Sequence, residues 1–227
     1  MRTKFVLLVI CGFLLFSVSV NAASEKSLKE KIERSNLYLE DVMEAPDKGI
    51  PASLLKKCLG VVIIRQYKAG FIFGVKGGTG VALKKDKETR KWSAPSFVAS
   101  AEGSFGLQIG GQAIDAILLI MNKSGVESLL KAKCKLGVDA SVAVGPVGRD
   151  VEAKIGPDTA FLVYARAKGL YGGLTLEGGI ITQDNGANKK FYGKEVTVDE
   201  IFDNKVVAPE AAKELISALE KYCGEVK

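Results

Sequence analysis

The chain has 227 residues, 47% of them hydrophobic, which suits one domain with a proper core plus extensions. It contains no histidine, so Ser-His-Asp and Cys-His catalysis and every imidazole metal site are excluded. Thirty-two basic residues face 26 acidic ones for a net charge of +6, and aromatic residues make up only 7%, a balance that argues against a nucleic-acid partner.

At the N-terminus Arg2 and Lys4 precede an uncharged run from Phe5 to Val20, followed by Val20-Asn21-Ala22. This is the pattern of a secretory signal cut after Ala22 and predicts a periplasmic or secreted protein. The run is short for a bilayer span of about 20 residues, and Ile10 before Cys11 stands where a lipoprotein signal needs a small residue. Without Arg2 and Lys4, 30 basic residues face 26 acidic ones, a net charge of +4. Such a surface suits contact with anionic membranes and ordinary solubility alike. The remaining cysteines, Cys58, Cys134 and Cys223, are odd in number and form no CxxC pair. Two of them could be joined in an exported chain, or all three could be small buried hydrophobes.

Residues 24–45, SEKSLKEKIERSNLYLEDVMEA, predict a helix opened by a Ser27/Glu30 capping box. Leu28, Ile32, Leu39, Val42 and Met43 fall near one stripe, while Lys26, Lys29, Lys31 and Arg34 lie largely off it. Pro46-Asp-Lys-Gly49 breaks the helix and makes 46–51 a hinge candidate. The chain thus divides into a signal at 1–22, an amphipathic helix at 23–45 and a domain at 46–227.

From Leu59 to Ile181 short β-rich runs are punctuated by glycine. Val61-Val-Ile-Ile64 and Phe71-Ile-Phe73 predict strands, and Leu83 to Trp92 a hairpin with a charged tip. FGVKGGTGVAL, residues 73–83, raises the possibility of a phosphate loop. Lys76 precedes the glycine pair rather than following it, and Leu83 stands where a dinucleotide fingerprint needs glycine. These glycines are expected to bend a sheet instead. Ile114 to Met121 lacks a decisive period and reads as strand or helix. Ser124-Gly-Val-Glu127 predicts a short helix with a capping box, and Leu136 to Val144 alternates as one half-buried strand. Asp184-Asn-Gly186 predicts a turn, and Thr197-Val-Asp-Glu200 and Pro209 to Cys223 predict further helices, the last with Gly224 as its cap.

The architecture expected is α+β, with a strongly curved, barrel-like antiparallel sheet, an N-terminal amphipathic helix and C-terminal helices. Asp139, Asp150, Glu152 and Asp158 show no arrangement that marks catalytic carboxylates, and the Asp184 turn lacks the further ligands of a calcium loop. No cofactor, metal or catalytic centre is expected.

Ala69-Gly70-Phe71 with Gly77-Gly78-Thr79-Gly80, Trp92-Ser-Ala-Pro-Ser-Phe97, Gly106-Leu-Gln-Ile-Gly110, Leu136-Gly-Val-Asp139, Gly145-Pro-Val-Gly-Arg149 and Lys168-Gly-Leu-Tyr-Gly172 follow one another in a known order. In this, roughly residues 45–220 resemble the SYLF domain. The resemblance implies a lipid-binding module: eukaryotic relatives bind phosphoinositide membranes with the help of an amphipathic helix, fungal relatives also bind actin, and bacterial relatives often carry an export signal.

The function expected is therefore non-enzymatic, peripheral attachment to anionic membrane lipids of the bacterial cell envelope. The stripe of Leu28, Ile32, Leu39, Val42 and Met43 would enter the acyl boundary while Lys26, Lys29, Lys31 and Arg34 meet headgroups. Lys56, Lys57, Arg65 and Lys68 form a second basic cluster for the same use, and Trp92 is either an interfacial anchor or a core residue. The stripe serves equally well for docking onto the sheet. An envelope scaffold that binds a protein partner through its β surface is the alternative, and a hydrolase without histidine ranks third.

Overall fold

The computed structural model describes residues 24–45, 49–70, 73–105, 112–146, 155–167, 170–172 and 178–224. The predicted export signal, residues 46–48 of the predicted hinge, and Asp150 and Glu152 lie outside them.

Among the described residues, strands β1 (Gly60–Gly70), β2 (Phe73–Lys84), β3 (Ser96–Phe105), β4 (Gln112–Ile120), β5 (Lys133–Lys135), β6 (Val142–Val144), β7 (Phe161–Ala167), β8 (Leu170–Gly172) and β9 (Ile180–Gln183) form one open, strongly curled sheet. The order is β5-β9-β3-β2-β1-β4-β7-β6, with β8 beside β7. Every pairing is antiparallel except that of β6 with β7. The helices are α1 (Glu25–Met43), α2 (Ala52–Lys57), α3 (Lys123–Leu130), α4 (Asn185–Tyr192), α5 (Val198–Phe202) and α6 (Lys213–Cys223).

Both faces of the central sheet are covered, and this explains its uninterrupted apolar runs. Val61, Ile63, Val81, Leu83, Ile117, Leu119 and Leu162 enter one core with α1, α2 and α6. Their neighbours Val62, Ile64, Ala82, Ala116, Leu118, Ile120 and Val163 enter a second core with α3 and α5. Period-2 geometry sends adjacent residues to opposite faces, so a strand buried on both sides needs apolar residues throughout. Ile114 to Ile120 is accordingly a strand, which resolves the ambiguity left by its lack of a period.

The glycine-rich stretch 73–83 lies wholly within β2. A Cβ on Gly80 would stand 2.0 Å from the Ile63 carbonyl oxygen, and one on Gly78 2.2 Å from that of Arg65. Glycine is required there because β2 and β1 approach too closely for any side chain. Lys76, which a phosphate loop would need free, is buried against Glu102 at 2.6 Å.

Several local expectations are corrected. The first helix is capped by Ser24, whose hydroxyl accepts from Ser27 N, rather than opened by Ser27. Asn122, not Ser124, caps α3. Asp184 caps a helix, α4, where a turn is predicted, and the helix ends at Gly193 with φ +69°. Leu136 to Val144 is two segments rather than one strand. Gly137 takes φ +82°, the Asp139 carboxylate accepts from Lys135 N at 2.7 Å, and Leu136 bridges Ala140. The Thr197/Glu200 capping box forms as expected, and α6 follows a short 3-10 turn at Glu210–Ala212.

Candidate functional site

Helix α1 lies across the sheet because its stripe is its only apolar face. Leu28, Ile32, Leu39 and Val42 are fully buried in the first core, with Met43 packed at its edge. These five side chains therefore meet the protein's own core, the docking role that amphipathicity leaves open. Trp92 is buried in the same core and is not an interfacial anchor. Among the described residues no helix is long and apolar enough to cross a membrane.

Beside the stripe the sheet carries a polar row that register sets. Arg65 on β1 stands opposite Asp115 on β4, and Asp115 stands opposite Arg166 on β7. Arg65 donates through Nε and Nη2 to the two Asp115 carboxylate oxygens, each at 2.6 Å. Arg166 Nη2 lies 3.9 Å from Asp115 Oδ2 and forms an ion pair with Asp41 of α1 through Nη1. Tyr38 of α1 donates its hydroxyl to the Asp115 backbone oxygen at 2.8 Å, and the Arg166 guanidinium lies over its ring, 5.2 Å from the centroid. Hydrogen bonding to the Asp115 carboxylate pushes the Arg65 pKa above its ordinary value despite partial burial.

The row forms the floor of a cleft of about 590 Å³ between α1 and the sheet, lined by Glu30, Glu33, Arg34, Leu37, Tyr38, Asp41, Arg65, Asp115 and Arg166. Leu37 is 65% exposed at its edge. Four acidic and three basic side chains line the cleft, so it carries no strong excess of either sign. Among the described residues, no three His, Cys, Asp or Glu side chains are grouped to hold a metal ion.

The predicted basic residues separate into three places. Lys26, Lys29 and Arg34 are exposed on α1, and Lys29 pairs with Glu25 at 2.8 Å. Lys31 is half-buried, its pKa held down mainly by burial and partly restored by Asp184. Lys31, Arg34 and Arg65 meet around a small recess beside Tyr38. Lys56 and Lys57 are exposed on α2, and Lys68 is half-buried near the end of β1. The single second cluster predicted from residues 56–68 is thus divided between α2 and β1.

Asp115, Arg166, Tyr38 and Asp41 were not predicted from sequence. A usable signal existed: Asp115 is the one charge in Ile114 to Ile120, and Arg166 the one charge in β7, both within strands buried on two faces. A charge in such a place needs a partner.

Comparison with known proteins adds a second line. Residues 101–222 match the family described as "Ysc84: Las17-binding protein actin regulator". The chain is 32% identical over 213 residues to Protein YSC84 of Saccharomyces cerevisiae, covering 89% of this chain and 45% of the yeast protein. It is 29% identical over 211 residues to SH3 domain-containing YSC84-like protein 1 of Bos taurus, covering 62% of that relative. LAS seventeen-binding protein 3 of S. cerevisiae is 32% identical over 213 residues, with 46% of its length covered. The chain therefore spans about half the length of the yeast relatives. No solved structure matches it.

Proposed function

The chain belongs to the Ysc84 family of SYLF-domain proteins, and from that premise we propose a non-enzymatic module, exported after cleavage near Ala22, that attaches peripherally to anionic lipids of the cell envelope. The observation that carries this reading is the arrangement of α1: its apolar stripe is docked while Lys26, Lys29 and Arg34 face outward, with Lys31 and Arg65 at the cleft beside them. Each basic residue near an anionic surface contributes about 1 kcal/mol. Insertion of the stripe is disfavoured, because exposing four fully buried aliphatic side chains costs on the order of 10 kcal/mol. A bilayer would return that energy to the helix but leave the sheet face uncovered. Attachment therefore runs through headgroup charge.

The test is cosedimentation of the mature chain, beginning at residue 23, with neutral phosphatidylcholine vesicles and with vesicles containing phosphatidylserine, at low and high salt. Binding is expected only to the anionic vesicles and should weaken with salt. Replacing Lys26, Lys29 and Arg34 together by glutamine should weaken it by about tenfold or more. Undiminished binding by the triple variant, or none by the parent to either vesicle, would remove this reading. Removing α1 altogether is a poor test, since it would strip the first core of five buried side chains, Leu28, Ile32, Tyr38, Leu39 and Val42.

A second reading has its own support. Leu37, exposed and ringed by Glu33, Arg34, Asp41 and Arg166, has the apolar centre and charged rim of a protein-binding surface, and relatives carry names that denote Las17 binding. An envelope protein partner held there would be lost on Leu37→Asp and indifferent to lipid.

A further inference from the structure

Away from the cleft, α6 ends against the junction of α2 and β1. Cys58, the last residue of α2's cap, and Cys223, the last residue of α6, are 165 positions apart, yet their thiols donate to the same oxygen. Cys58 Sγ lies 3.1 Å and Cys223 Sγ 3.4 Å from the Leu55 carbonyl, so the sulfurs are within about 6.5 Å of each other. Lys85, only 2% exposed, inserts its ammonium group beside them. Its Nζ donates to Leu55 O at 2.9 Å and Lys56 O at 2.7 Å, lies 3.9 Å from Cys223 Sγ, and sits 5.1 Å from the centroid of the Trp92 ring. The third described cysteine, Cys134, belongs to the opposite core.

We propose that Cys58 and Cys223 are a disulfide-forming pair, oxidised by exchange with a small-molecule disulfide, and that the bond fastens α6 to the α2–β1 junction. The reduced pair shown here is the precursor. Cys223 is the more exposed thiol and attacks first. Burial raises the Cys223 thiol and the neighbouring ammonium of Lys85 opposes this only in part; once deprotonated, its sulfur bonds to one sulfur of the external disulfide and expels the other as thiolate. Cys58 then attacks the Cys223 sulfur and expels the second external thiolate. Two protein thiols are oxidised, one external disulfide is reduced to two thiols, and the cysteine protons leave on those thiols. The Leu55 carbonyl loses two weak donors but keeps Lys85, so oxidation leaves no orphaned acceptor. Because α1 rests on α6 in the first core, the bond also braces the face that carries the docked stripe.

The test treats the purified full chain with excess oxidised glutathione, alkylates the remaining thiols, and maps non-reduced peptides by mass spectrometry. A Cys58–Cys223 linkage within monomeric protein is expected, absent from Cys58→Ser and Cys223→Ser and retained in Cys134→Ser. The oxidised parent should melt on the order of 10 °C above its reduced form, since the bond closes a long loop. Full alkylation of both thiols, or a product in which either pairs with Cys134 or with a second chain, would overturn the proposal. A bond that forms without raising Tm would overturn its role as a fastener.

Discussion

Asp115 and Arg65 face each other across the β4–β1 pair and share two hydrogen bonds of 2.6 Å, with side chains 10% and 32% exposed respectively. The pair sits at the polar end of the apolar runs of β1 and β4, and the backbone oxygen of the same aspartate anchors Tyr38 of α1. Charge, register and helix docking therefore converge on one residue.

Asp115→Asn is expected to destabilise the protein by about 2 kcal/mol. It removes the counter-charge of two arginines, and partial exposure of Arg65 keeps the loss below that of a fully buried pair. Urea unfolding of Asp115→Asn, Arg65→Gln and the double variant should show positive coupling, with the double variant less destabilised than the two single losses added together. Strict additivity would show that the two side chains do not stabilise each other.

Gly80→Ala is expected to cost at least 3 kcal/mol, beyond ordinary overpacking, because the new methyl would meet the backbone of β1 at 2.0 Å rather than a movable side chain. Gly77→Ala, three residues earlier on the same strand, meets nothing within 4 Å and should lie within about 0.5 kcal/mol of the parent. Comparison of the two denaturation midpoints separates a steric need from a general glycine effect. Equal losses would show that the close approach of β1 and β2 is not what requires glycine.

Reduced protein should lose stability as the solution becomes alkaline. Burial pushes the Cys58 thiol up to about 12 and the Cys134 thiol up to about 11, from an ordinary value of 9.0. Burial likewise raises Tyr164 and Tyr192. Each of these groups keeps its proton in the folded state after the unfolded chain has lost it. Their contribution is complete below pH 9 and falls as pH rises towards the folded values, by at most about 1.4 kcal/mol per unit for each group. Lys85 and Lys31, whose pKa values burial depresses, work in the opposite direction but are outnumbered. Chemical denaturation at pH 8 and pH 10.5 should show the loss, and Cys58→Ala should show a shallower one. A flat profile would contradict the account.

Local chemistry was legible where neighbours in sequence suffice. The Thr197/Glu200 box, the amphipathic stripe of α1 and the failure of 73–83 as a phosphate loop depend on residues a few positions apart. Caps were misplaced where two candidates compete within one turn, as with Ser24 and Ser27, or Asn122 and Ser124. Leu136 to Val144 misled because its alternation is genuine in composition, while Gly137 and Asp139 close a turn that outweighs it.

The amino-acid sequence by itself determined that this is a histidine-free α+β chain with a glycine-bent sheet and SYLF-domain motifs, because composition, period and motif order are properties of neighbours along the chain. Only the tertiary structure decided that the α1 stripe faces the core, that Asp115 lies between Arg65 and Arg166, and that Cys58 meets Cys223. Those relations join residues tens to more than a hundred positions apart. Strand register and helix docking, acting through the whole fold, bring them together.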